Sequence, residues 1–578
     1  MPTSVSWRDR PACRALVILL PLLAAAPASY AQAPPGTFSP IPGIRPPPAP
    51  RVSPGPAIPK APVAPAATAN TTHPIQDVTI DGTTAYTPAT FADVTAGLTG
   101  PAVPEAAIEA ARVAMVNRYR EDGYVYTAVS AVIDGPHLRF VVTEGRITSV
   151  KLDGDIGPAG VQVLRFLNHL TELQPIDAAS LERWLLLASD VPGVSVRSVL
   201  NPSTTEPGAL TLVAQVSRQA ISGVGTADNR AYQNTGPQEG LLTVDFNSFT
   251  EFGERTEAQL YTTFSNEQIF GQASSEFFLG GSGLKMRVYA GSGNALPGGP
   301  LTAIGYSGQT TVFGASLSYP VIRARQQTLN AVAAFDGLES TIQSTVSGKT
   351  VKGQDSLRVF SIGGDYALLD VLLGPSMSAT NGVSVRLSQG VPAFGASSDG
   401  SAKLPLSGEQ VDFTKVSGSA SRTQVLFAPW QSASVAFQAS VAGQGTSEVL
   451  PPEQKFYLGG AHFNRGYYFG QVTGDSALTT SLELQLNTPV PLPASIPLPF
   501  DVSSQFYTFY DWGETWENDP KAEANRVLNS VGGGVRLFLA QYAEFDLEGV
   551  GRLSRYPNGT NGGAVRGAGV YWQVLGRF

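Results

Sequence analysis

The sequence predicts a transmembrane antiparallel β-barrel of about 16 strands, preceded by two small α/β units. Three observations predict it. The N-terminus carries an export signal. Residues 75–217 repeat the order strand, helix, helix, strand, strand. From Ile221 to Phe578 the helical signal gives way to short segments of alternating polarity. At 578 residues the chain is too long for one ordinary core. Glycine (61 residues) is plentiful and charge is sparse (15%), which suits many strands joined by tight turns.

The export signal spans residues 1–31. Arg8, Arg10 and Arg14 form a basic head, Ala15–Ala26 is an apolar run too short to cross a bilayer, and Ser29 and Ala31 supply the small-residue exit. The single cysteine, Cys13, lies before the apolar run, so the mature chain is expected to lack a thiol and hence any disulfide. Losing three arginines and one aspartate leaves 35 basic and 45 acidic residues, a net charge of −10. An acidic exported chain is a poor nucleic-acid binder, and no such partner is expected. Residues 32–70 form a proline-rich linker; prolines at this density block helices and favour extended chain.

The first α/β unit is placed at 71–145. "IQDVTIDG" reads as a strand and "PATFADVTAGL" as a short helix. Ile108, Ala111, Met115 and Tyr119 make one apolar face of a second helix, which Pro104 and Glu105 open and Gly123 stops. "YVYTAVSAVID" and "HLRFVVTEG" follow as strands. The second unit, 146–217, repeats the order with "ITSVKLDG", two helices with Asp177 as an N-cap, and the strands "VSVRSVLNP" and "ALTLVAQVS".

The barrel is placed at 218–578. Thr256, Ala258, Leu260, Thr262 and Phe264 share one face; Glu257, Gln259, Tyr261 and Thr263 share the other. Leu284, Met286 and Val288 oppose Lys285, Arg287 and Tyr289. Leu478, Leu482, Leu484 and Leu486 oppose Ser481, Glu483, Gln485 and Asn487. Lipid outside and a polar lumen inside account for this pattern without a second covering layer. The C-terminal segment alternates Val570, Trp572, Val574, Gly576 and Phe578; a last strand must pair with the first to close the cylinder. The lumenal charges Glu257, Lys285, Arg287 and Glu483 read mainly as wall residues that keep the path wet.

Several stretches then resemble one family in order along the chain. "YREDGYVYTAV" (Tyr119–Val129), "VTEGRI" (Val142–Ile147) and "LERWLLLASDVPGV" (Leu181–Val194) are similar to POTRA-domain signatures. "YLGGAHFNRGYYFGQVTGD" holds the pattern Gly459, Gly460, Arg465, Gly466, Tyr467, Gly474, Asp475, and "FYDWG" holds Phe509, Asp511 and Gly513. The set resembles the outer-membrane transporters of two-partner secretion, the exporters of hemolysins and filamentous hemagglutinins, within the Omp85 superfamily.

The resemblance implies a protein-export pore of type V secretion in the outer membrane of a Gram-negative bacterium, working without ATP. Its two POTRA domains would stand in the periplasm and bind a secreted passenger, a large β-helical exoprotein. Trp572 and Phe578 would form the C-terminal signal read by the barrel-assembly machinery. The "NRGY" segment would be the tip of a loop folded inward around 456–476, with Arg465 held by Asp511 on the wall. Independently, Gln505, Tyr507, Phe509 and Asp511 share one face of a strand, and a carboxylate belongs on the lumen side. Gly466 is expected to permit a tight turn and Tyr467 to pack on the inner wall. Asn464 stands where the family has an aliphatic residue. Relatives often carry a plug helix near the N-terminus; the proline-rich linker is expected not to form one.

No enzyme chemistry is expected. His73, His137, His169 and His462 are scattered without metal-ligand spacing, so neither metal nor cofactor is expected. "SGKT" (Ser347–Thr350) lacks the first glycine of a phosphate-binding loop and reads as a barrel loop. The alternative function, an insertase for other barrels, needs no passenger but a weak lateral seam. The POTRA pair and the Leu181–Val194 stretch weigh against it.

Overall fold

The computed structural model describes residues 71–578 except 347–348, 402–403, 407, 492–500, 521–524, 558 and 560–562. The export signal, the proline-rich linker and the question of a plug helix lie outside the described residues, as does the tip of "SGKT".

The first α/β unit pairs Asp77–Asp81 parallel to His137–Thr143, which pairs antiparallel to Ala128–Asp134. The helix Glu105–Glu121 packs Ile108, Ala111, Met115 and Tyr119 onto this sheet. The structure adds a detail to the expected order: "IQDVTIDG" is broken at Gln76, and a short strand Thr72–Ile75 pairs with Gly100–Pro104 ahead of the long helix. The second unit repeats the mixed three-stranded sheet with Arg146–Asp153, Ala209–Arg218 and Val194–Pro202, under helices Ala159–Asn168 and Ala178–Ser189. Asp177 caps the second helix, accepting from Ser180 N at 2.8 Å.

This second unit is joined to one end of the barrel. Phe278 enters its apolar core and meets Phe166 edge-on at 5.1 Å. Arg323, at a barrel turn, pairs with Asp190 through two 2.7 Å hydrogen bonds.

Sixteen antiparallel strands close into a barrel, from Ile221–Asp228 to Ala568–Arg577. Side chains alternate as expected from the sequence. Leu260, Leu478, Leu482 and Leu484 are exposed on the outside, while Ser481, Glu483 and Gln485 are buried inside. Two unlike solvents, lipid and water, impose that period-two pattern. Among the described residues no helix is long and apolar enough to cross a membrane, which says nothing of strands.

The closing seam runs from Gln573 opposite Asp228 to Arg577 opposite Val224. Phe578 and Gly223 then exchange two main-chain hydrogen bonds of 3.0 and 3.1 Å, and the Phe578 ring covers Gly223 where a Cβ would collide. Past the other end, Asn229 continues the pairing with its side chain. Its Oδ1 accepts from Trp572 N at 2.9 Å and its Nδ2 donates to Val570 O at 3.1 Å.

Candidate functional site: an inward-folded segment pinned to the wall

The segment between strands Ser434–Gly445 and Ser476–Pro489 enters the barrel. Phe456–Leu458 and Val472–Gly474 pair to form its stem. Asp475 ties its two legs together, accepting from Leu450 N at 2.8 Å, pairing with Lys455 at 3.2 Å and accepting from Asn518 N at 2.7 Å. Gly459 and Gly460 have φ of 103° and 99°, conformations that favour glycine. Gly460 N donates to Tyr467 O at 2.9 Å, which closes the tip back on itself. Gly474 passes so near Thr515 that a Cβ would lie 2.6 Å from that residue's Cβ.

At the tip, Tyr467 N donates to Asn464 O at 3.0 Å, a tight turn. The left-handed residue in it is Asn464, with φ of 57°. Gly466 has no positive φ; its need is close approach, since a Cβ there would stand 2.5 Å from Ser530 Cβ. Gly466 thus lies in the turn as expected, and glycine is needed there for space rather than for φ. The departure at Asn464 also gains a reason: a short amide side chain tolerates left-handed backbone better than an aliphatic one. Its Nδ2 donates to Leu528 O at 2.9 Å, and its Oδ1 accepts from Thr479 Oγ1 at 3.2 Å.

Arg465 is buried. Its Nε and Nη2 donate to the two oxygens of Asp511 at 3.1 and 3.0 Å, and its main-chain N–H donates to Asp511 Oδ2 at 2.8 Å. Its Nη1 binds Glu483, and its Nη2 also donates to Ser481 Oγ at 3.0 Å. Ser481 in turn donates to Asp511 Oδ1 at 2.6 Å. The guanidinium carbon lies 3.7 Å over the Phe509 ring, a cation–π contact in a desolvated place. Gly513 leaves room for Asn464, whose Oδ1 would lie 2.5 Å from a Cβ there. Phe509, Asp511 and Gly513 thus supply a ring, a carboxylate and a gap.

The sequence reading did not find the rest of the network. Glu483 was read as a wall charge; it bridges Arg465 to Arg536, whose Nη1 lies 2.7 Å from Glu483 Oε1. Arg230, just beyond the first barrel strand, donates to Arg465 O at 2.5 Å and pairs with Glu548 at 2.6 Å. Arg552 and Tyr571 both donate to Gly466 O. Tyr467 is fully buried, and its hydroxyl, with one proton to donate, lies 2.8 Å from Asn529 O and 2.9 Å from Ser554 O. Only the alternation placing Glu483 and Ser481 on the lumenal face could have pointed to any of these. A pocket beside the tip is lined by Arg230, Arg465, Arg536, Asp546, Glu548 and Trp572. The tip is therefore bonded to the wall strands, to Tyr571 on the last strand and to Arg230 just past the first.

Among the described residues no group of three or more His, Cys, Asp or Glu is arranged to hold a metal ion.

A closed 16-strand barrel with a segment pinned inside it, preceded by two α/β units, defines a transmembrane β-barrel protein with an occupied lumen. Residues 209–537 match the family model for the haemolysin secretion/activation protein ShlB/FhaC/HecB, and the chain belongs to that family, the two-partner secretion transporters. Solved structures share the fold. CdiB from Escherichia coli aligns with a TM-score of 0.70 at 17% identity, over 91% of this chain and 94% of that one. CdiB from Acinetobacter baumannii gives 0.60 at 14%, over 88% and 90%. BamA from Haemophilus ducreyi, lacking POTRA domains 1–3, gives 0.51 at 11%, over 88% and 100%. Comparison with curated proteins returned no match.

Proposed function

We propose that this outer-membrane transporter captures one specific secreted protein on its periplasmic side and passes it outward through the lumen without ATP. The observation that carries the reading is the inward-folded segment, held by Arg465 to Asp511 and Glu483 inside a closed cylinder. A static wall needs no such device; a path that must be closed at rest and cleared for a chain does. The units at 71–145 and 146–217 act as POTRA domains in the periplasm. Their exposed sheet edges accept a strand of the unfolded passenger by β-augmentation. Its surface folding, as a large β-helical protein, biases the movement outward, so no catalytic centre is required. Trp572 and Phe578 serve the assembly machinery during insertion into outer-membrane lipid.

The test is a strain lacking this protein. Loss of one large protein from the culture supernatant, with other outer-membrane barrels intact, is expected. Broad loss of those barrels would make the protein an insertase instead.

A further inference from the structure

A second cluster lies away from the arginine tip, at the base of the inward-folded segment. On the barrel wall Thr310, Ser340 and Asp355 stand opposite one another on three adjacent strands, Ser307–Arg323, Gln327–Val346 and Lys349–Asp370. All three are buried, at 0%, 2% and 0% exposure. Two carboxylates reach them from outside the wall. Glu409 comes from the connection 391–413 and is 2% exposed; Glu453 comes from the turn Pro452–Gln454, where the inward segment begins. Asp355 and the two glutamates lie close enough for their charges to act on one another, and Ser340 lies near Glu453.

Among the described residues the cluster has no ionised donor. Both oxygens of Asp355 and of Glu453, Glu409 Oε1, Ser340 Oγ and Thr310 Oγ1 are buried without a hydrogen-bond partner. The charges nearby are committed elsewhere. Lys455 pairs with Asp475 and Glu517, Lys415 donates to Gln454 O at 2.9 Å, and Arg358 pairs with Glu339 at 2.6 Å. Tyr306 also approaches Glu453. Three buried carboxyls whose charges act on one another, with no cation paired to them among the described residues, cannot all be ionised. Once they hold protons, each O–H donates to a neighbouring oxygen and the orphan acceptors are satisfied.

We propose that Asp355, Glu409 and Glu453 form a proton-shared latch that holds the base of the inward segment and the stretch 409–413 against the wall, and that opens as the carboxyls ionise. The arginine tip and this base are then two anchors of opposite kind, one made of paired charges and one of neutralised acids. Burial first, then the Asp355 charge, pushes the Glu453 carboxyl up to about 8. Burial also raises Glu409. A raised carboxyl favours the closed form fully below its ordinary range. The share of that advantage held by Glu453 is lost progressively as pH rises through about 8.

The experiment uses the full chain in liposomes with Cys13→Ser and a nitroxide on Ser447→Cys, an exposed position on the leg leading to the base. Label mobility is followed from about pH 5 to about pH 9. A rise in the mobile fraction across this range is expected, and a flat, immobile signal in Asp355→Asn/Glu409→Gln/Glu453→Gln. If that variant does not insert, Glu453→Gln alone should show a smaller rise. A flat signal in the unmutated carboxyl background overturns the latch. So does an equal rise in the amide variants, or a response to calcium or chelator, which would mean a cation holds the acids. The readout is loop motion, so either result leaves the transport reading standing.

Discussion

Asp511 receives three hydrogen bonds from Arg465, one from its main chain and two from its guanidinium, across 46 positions of sequence. The same guanidinium binds Glu483, so one cation neutralises two wall carboxylates at a place nearly closed to solvent.

Arg465→Ala strands both carboxylates. Breaking such a buried pair costs on the order of 3–5 kcal/mol. The expected result is release of the tip, seen as new protease cleavage between Gly459 and Gln471 and a lower barrel unfolding temperature. Arg465→Lys keeps the charge but loses the fork that spans Asp511 and Glu483, so it recovers only part of the loss.

Exchanging the charges should not rescue. In Arg465→Asp/Asp511→Arg the new aspartate faces Glu483, which still holds Arg536. The double variant is expected to resemble the single Arg465→Asp in cleavage of the tip. Equal protection of double variant and wild type would mean that Glu483 is not part of the anchor.

Gly466→Ala places a methyl 2.5 Å from Ser530 Cβ, beside a carbonyl already held by Arg552 and Tyr571. Overpacking of this kind costs about 1–3 kcal/mol. Adding Ser530→Gly should restore much of the lost thermal stability, since the collision is with that side chain.

Asn464→Leu forces a branched aliphatic side chain into a φ of 57° and removes the bond to Leu528 O. The backbone term alone costs about 1–2 kcal/mol. Asn464→Gly should be milder in the same unfolding measurement, because glycine keeps the turn and loses only the hydrogen bonds.

In the first α/β unit, burial pushes the Glu144 carboxyl up, but donors from Thr84, Ala85 and Tyr119 outweigh it and hold it below its ordinary value. The stability this supplies is present above the ordinary carboxyl pH and is lost as pH falls through the lowered value. Protease resistance of residues 72–143 should therefore fall on acidification, and Glu144→Gln should show the loss already at neutral pH.

The barrel was legible because lipid and lumen impose a period of two on every strand; Leu478, Leu482 and Leu484 against Ser481, Glu483 and Gln485 shows it in one segment. The α/β units were legible from the apolar face of Glu105–Glu121 and the cap at Asp177. The rest of the anchor was not. Arg230, Glu548 and Arg552 meet the tip only because strand register brings distant positions to one level of the wall, and nothing local marks them. The reason for glycine at 466 was not legible either, because sequence does not distinguish a glycine needed for φ from one needed for space.

The central claim is that an inward segment pinned by Arg465 controls the path of an exported protein. Its most direct test is export itself: passenger in the supernatant of cells carrying Arg465→Ala or Asp511→Ala at wild-type levels of folded barrel. The account predicts that both variants lose normal export. Wild-type amounts of passenger from both would contradict it.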